Sequence, residues 1–210
     1  MKIGVIGSVK EELENIRQAL VQTQTIEIEN FRFTSGELKH KKIVLAEVPN
    51  DTVDIEKVTE LLIHTFQVGQ VIATGLAGAI DDELSPLALV IGNSYFDCQT
   101  KEEFPAEDTL VQLFKKIYPS AKVGKILTVE QFIDDTHRKQ ELKKVCHAVA
   151  VDCESARVAE VCAKHATPFV SVRTITDNAN NQAWKNFNNY EELAAEKSTD
   201  ILLEALQKKI

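Results

Sequence analysis

Short apolar runs alternate with amphipathic helical stretches along the whole of this sequence, and that alternation restricts the chain more than any single motif does. "KIGVIG" reads as a strand, and "KEELENIRQALVQ" as a helix with Leu13, Ile16, Leu20 and Val21 on one face. "TIEIENFRFTSGEL" and "KKIVLAEV" read as a strand meander with turns near Glu29 and Asn30 and near His40 and Lys41. Asp54 stands where it could cap the helix "IEKVTELLIHTF". "QVIATGLAGA" reads as a buried strand running into a glycine-rich loop, and "LALVIGNSY" as a further strand. A helix over 107–118, the strand "KVGKILTV" and the short helix "RKQELKKV" follow. The strands "AVAVDCE" and "PFVSVRTIT" bracket the helix "SARVAEVCAKH", and a last helix runs from about Tyr190 to Lys208. Strands apolar almost throughout are covered on both faces, which predicts an α/β fold of three layers: a central mixed, mainly parallel sheet flanked by helices. With 210 residues and no linker-like stretch, a single domain over 1–210 is expected.

Ligands of such sheets gather at the carboxyl ends of the strands. Here that rule selects Gly7 to Glu12, Thr74 to Ala79, Thr128 to Ile133, Asp152 to Glu154, and Thr176 to Asn180. The first place resembles the start of a dinucleotide site, but its glycines are spaced GxxG rather than GxGxxG, and Glu11 and Glu12 follow. Carboxylates in a first helical turn suit the helix dipole without any further role, and one at a strand end can also serve as a general base. They repel phosphate. A neutral ligand or a water is therefore expected there rather than a dinucleotide.

A net charge of −8 disfavours nucleic acid and anionic membrane as partners. No basic, apolar leader opens the sequence, and no apolar run approaches the ~20 residues of a membrane span, so a cytoplasmic protein is expected. Cys98, Cys146, Cys153 and Cys162 form no CxxC pair, which fits a reducing compartment. The five histidines are scattered, with no HxH or HExxH, so no metal and no cofactor are expected.

Taken in order, the five strand ends resemble the nucleoside phosphorylase and nucleosidase superfamily, specifically the methylthioadenosine/S-adenosylhomocysteine nucleosidases. "KIGVIGSVKEE" is similar to the family's "IGIIGAMEEE", "TGLAGAI" to its TGSAGG loop, and "TVEQFI" to SGDxFI. "AVDCESARVAEVC" parallels AVEMEAxAIAxVC, and "PFVSVRTITDNAN" parallels PFxxxRxISDxAD. The resemblance spans the chain and implies a nucleoside phosphorylase-like fold, hydrolysis of an adenosine-type nucleoside, and a homodimer. It also implies roles. Glu12 would activate water, Asp177 would be the acid facing the purine, and Arg173 would stand near the water. Phe132 would stack on adenine beside the backbone of Ile133, Glu154 would hold the ribose with Cys153 under the sugar, and Gly75, Ala77 and Gly78 would form the loop.

The chemistry points the same way. Cleaving an N-glycosidic bond passes through a cation-like sugar and needs a base for the water, an acid for the leaving group and an anion near the ribose. Read singly, Phe132 is also a core aromatic, Asp177 a turn or cap residue, and Glu154 a first-turn acid. Arg173, inside an apolar strand, needs partners, and Glu12 or Glu154 would serve. This sequence has Leu76 where the family loop has Ser, and its segment 97–107 is shorter than the family's substrate loop. Two expectations follow: a nucleosidase with altered 5′ specificity, or a weakly catalytic or non-catalytic purine-binding relative.

Overall fold

The computed structural model describes residues 1–7, 11–48 and 54–208, and of Glu11 the backbone only. Of the first strand end, Gly7 to Glu12, residues 8–10 lie outside the described residues, as do residues 49–53. The elements are β1 (Lys2–Gly7), α1 (Glu11–Ala19), β2 (Val21–Ile28), β3 (Phe31–Leu38), β4 (Lys41–Glu47), α2 (Ile55–His64), β5 (Gln70–Ala79) and β6 (Leu89–Asp97). They continue with β7 (Glu103–Pro105), α3 (Asp108–Ile117), β8 (Lys122–Thr128), α4 (Thr136–Cys146), β9 (Ala150–Asp152), α5 (Ser155–Lys164), β10 (Phe169–Asp177) and α6 (Ala183–Lys208).

β4, β1, β5 and β10 run parallel side by side. β6, β8 and β9 form a second parallel set. β10 pairs antiparallel with β6, and β9 antiparallel with β5, so the path β5–β10–β6–β8–β9 returns to β5 and this part of the sheet closes on itself. Closure has a consequence for the site. It brings the end of β9 (Val151 opposite Gly78) to the same stretch of β5 along which β10 runs, with Arg173 opposite Gly75 and Asp177 opposite Gly78.

Alternate residues of the strands feed opposite cores, as the two-residue period of a strand requires. Ile6, Val44, Ala46, Val71 and Ala73 face α2 and α5, while Ile3, Val5, Ile43, Leu45 and Ile72 face α1, α3 and α6. A third, smaller core under α4 joins Leu142 and Cys146 to Val129, Ile133 and Val151. The three-layer α/β expectation holds.

Several local expectations are corrected. Val21 does not continue the helical face: the Leu20 amide closes α1 on the Ile16 and Arg17 carbonyls, and Val21 opens β2 with its side chain exposed. Asp54 occupies the N-cap position of α2 without a side-chain cap hydrogen bond. The glycine-rich stretch is not a loop, because β10 and β9 supply ladders that extend β5 to Ala79. The short segment after Asp97 is a hairpin. Asp97 Oδ1 accepts from the amides of Gln99 (2.6 Å) and Thr100 (3.0 Å), turning the chain into β7 against β6. α6 begins at Ala183 rather than near Tyr190. Asn186, Asn188 and Asn189 are weak helix formers, but Trp184 and Phe187 in those first turns pack on Phe132.

Candidate active site

Arg173, fully buried in the middle of β10, is the hub of the site. Its Nη1 donates to Glu154 Oε1 at 2.7 Å and to the Thr74 carbonyl at 3.0 Å, and its Nη2 to Ser155 Oγ at 3.0 Å. Its Nε lies 3.0 Å from Asp152 Oδ2 without the alignment of a hydrogen bond, so that contact is electrostatic. Glu12, 2% exposed, completes the group: its Oε1 and Arg173 Nη1 lie 2.7 and 2.6 Å from where a Cβ on residue 75 would sit. Gly75 also has φ +146°, so both the space and the backbone require glycine at this position.

Burial alone would push the guanidinium pKa down, but Glu154, Asp152 and Glu12 together outweigh it and hold Arg173 charged. Among the described residues, the cluster thus sets three carboxyl groups around one guanidinium. Such a place favours a developing positive charge and opposes an incoming phosphate. Asp152 is the joint of the cluster. Its Oδ1 accepts from Thr128 Oγ1 (2.8 Å) and from the amides of Glu154 (3.3 Å) and Ser155 (3.2 Å), capping α5, and its Oδ2 accepts from Ser155 Oγ.

Asp152 also lines a cavity of about 30 Å³ together with Gly78, Phe132, Ile133, Cys153 and Asp177. That is room for about one water, so any larger ligand enters only when the wall opens. One lining residue, Phe132, belongs to an aromatic cluster. Phe132 stacks on Trp184 with ring centroids 4.3 Å apart and meets Phe187 edge-on at 5.7 Å, while Trp184 Nε1 donates to Asp134 at 3.2 Å. Asp177, 1% exposed, accepts from the Ala179 amide and from Thr176 Oγ1, both at 2.8 Å. Burial nevertheless raises its pKa.

The whole chain has known relatives. The family model of the Phosphorylase superfamily matches residues 2–207. The chain belongs to the Phosphorylase superfamily. It is 29% identical to 5′-methylthioadenosine/S-adenosylhomocysteine nucleosidase of Staphylococcus aureus (strain JH9), over 95% of this chain and 96% of that protein. The Helicobacter pylori 5′-methylthioadenosine/S-adenosylhomocysteine nucleosidase with butyl-thio-DADMe-Immucillin-A superposes with a TM-score of 0.94 at 26% identity, covering 99% of this chain and 98% of that one. Helicobacter pylori futalosine hydrolase superposes with a TM-score of 0.93 at 25% identity, covering 100% and 98%.

In this superfamily member Glu12, Glu154 and Arg173 come together in one cluster, joined through Asp152 to the cavity that Phe132, Ile133, Cys153, Gly78 and Asp177 line. Ala77 does not join them. Its side chain packs in the core facing α2 and α5, and its carbonyl accepts from Thr176 Oγ1 at 3.3 Å. Burial pushes the Cys153 thiol up to about 12, so it stands at the wall as a neutral, soft group. Asp152, Ser155, Trp184 and Phe187 were not singled out from sequence. Only Asp152 carried a signal, as a carboxylate at the end of an apolar strand.

The Asp177 shift sets a pH dependence. The folded state holds this proton above the ordinary pKa of 3.8, so the stability it contributes is complete below that pH and is lost as pH rises through the raised folded value. Wild type should therefore lose stability over that window relative to Asp177→Asn, in denaturant titrations at successive pH values. Parallel curves would contradict the assignment.

Proposed function

We propose that this chain is a purine nucleosidase. It hydrolyses the N-glycosidic bond of an adenosine-type nucleoside, 5′-methylthioadenosine, S-adenosylhomocysteine or a related 5′-substituted adenosine, to adenine and the free sugar. One observation carries the reading: three carboxyl groups surround one guanidinium, and one of them, Asp152, also lines a cavity together with the buried Asp177, whose pKa burial raises. Glu12 takes a proton from water, Asp177 gives one to the purine, and Glu154 holds the ribose hydroxyls as the sugar becomes cation-like. Arg173 fixes the carboxyl groups. Phe132 stacks on the base beside Ile133, and Gly75 and Gly78 let the β5 backbone approach the substrate.

The names of the relatives support this substrate class, and futalosine hydrolase keeps a differently substituted nucleoside in view. The chain would act as one domain over 1–210, without a cofactor, in the cytoplasm and as a homodimer. No helix among the described residues is long and apolar enough to cross a membrane. A weakly catalytic purine binder is the second reading, favoured by Leu76 in the place of the family's serine.

Trp184, the only tryptophan of the chain, reports on the base site because it stacks on Phe132. Adenine should change its emission saturably, and adenine at 100 times its Kd should add about 2.7 kcal/mol to stability. Adenine release from 5′-methylthioadenosine then separates the readings. Binding with release supports the nucleosidase, binding without release the purine binder, and absence of both removes the purine site.

A further inference from the structure

On the flank of the molecule where α2 meets α5, Glu60 and His64 stand one turn apart on the same face of α2, and His165 caps the C-terminal end of α5. The fold joins residues that the sequence keeps about a hundred positions apart. His64 Nε2 and His165 Nε2 are 3.3 Å apart, with the rings perpendicular and their centroids at 4.3 Å. Glu60 Oε1 lies 3.7 Å from His165 Nε2, and one donor atom from each of the three residues falls within 4.8 Å of the others. The neighbouring ammonium of Lys164 pairs with Glu160 at 2.6 Å.

These distances match the demands of one ion. Zinc bonds of about 2.0–2.1 Å in a tetrahedron put neighbouring donor atoms about 3.3–3.4 Å apart, which is the separation of the two imidazole nitrogens. Glu60 Oε1 stands 3.7 Å from His165 Nε2 on a side chain about half exposed, so a rotation of that side chain would bring the carboxylate to the same ion. Water reaches the fourth position, since His64 is exposed and His165 partly so. Two imidazoles and a carboxylate are the donor set that zinc and its neighbours in the first transition row prefer.

We propose that Glu60, His64 and His165 form a zinc site that clasps α2 to α5. It lies at the opposite end of α5 from Asp152, Glu154 and Ser155, about 15 Å along a ten-residue helix. The clasp therefore ties down the helix whose first residue, Ser155, and N-cap, Glu154, contact Arg173, without touching that cluster. Unlike the metal motifs looked for in the sequence, this donor set is assembled by packing.

The test uses the full chain, free of any histidine tag and stripped of metal with a chelator. Zinc chloride titrated into wild type in a calorimeter should bind one ion per chain and raise the melting temperature. Losing a direct ligand should cost at least the 10–100-fold in affinity typical of losing a group that only orients one, so His64→Gln and His165→Gln should each bind that much more weakly. Both should still release adenine as wild type does. Cobalt(II) in wild type should give the visible bands of a tetrahedral site and be displaced by zinc, a readout that does not depend on the variants folding. No zinc binding by wild type, unchanged affinity in both variants, or an octahedral cobalt spectrum would overturn the site and leave the histidine pair as a shared-proton contact.

Discussion

Asp177→Asn should lower the rate of adenine release by about 10²–10⁴-fold while adenine affinity stays within a few-fold, the range expected when a positioned acid is removed. The substitution is mild for the fold. An asparagine in this position keeps a carbonyl to accept from the Ala179 amide and gains an amide to donate to Thr176 Oγ1. What it loses is the carboxyl group whose pKa burial raises. Glu12→Gln should give a loss of the same order by removing the base, again with adenine affinity nearly unchanged. Single-turnover adenine release alongside calorimetric adenine binding separates the two effects. A drop in binding as large as the drop in rate would assign Asp177 to holding the base instead of protonating it.

The second large effect concerns the fold. Arg173→Met should destabilise the protein by about 3–5 kcal/mol, because it leaves Asp152, Glu154 and Glu12 buried together with their common cation gone. The loss should shrink at acidic pH, where the carboxyl groups take up protons and the uncompensated charge disappears. Urea denaturation of both proteins across pH measures this. A loss below about 1 kcal/mol at neutral pH, the worth of a surface pair, would mean that water already reaches the cluster.

How much of this was legible before the structure depends on the kind of signal each part leaves in the chain. Strands that alternate between two cores leave apolar runs, and β1, β4, β8 and β10 are readable for that reason. Arg173 is conspicuous because a cation in an apolar strand demands partners, and both acids expected belong to its cluster, Glu154 at 2.7 Å and Glu12 through its charge. Asp152, 3.0 Å from the guanidinium, escaped notice as a partner because sheet closure, which brings β9 alongside β5, is a long-range event with no local pattern. The start of α6 was missed for a related reason. Its asparagines argue against helix, and the aromatic packing that overrides them joins residues more than fifty positions apart. Gly75 and Gly78 suggested a loop, since glycine signals freedom in a sequence, whereas here it leaves room in a strand for Arg173, Glu12 and Asp177.

The central claim is that water, excluding phosphate, attacks the sugar of an adenosine-type nucleoside over an acidic cluster. The most direct measurement is the product distribution from 5′-methylthioadenosine and the wild-type chain, with and without added phosphate, resolved by chromatography and phosphorus NMR. Adenine and free methylthioribose should appear at the same rate in both conditions. A sugar 1-phosphate, or release that requires phosphate, would contradict the account.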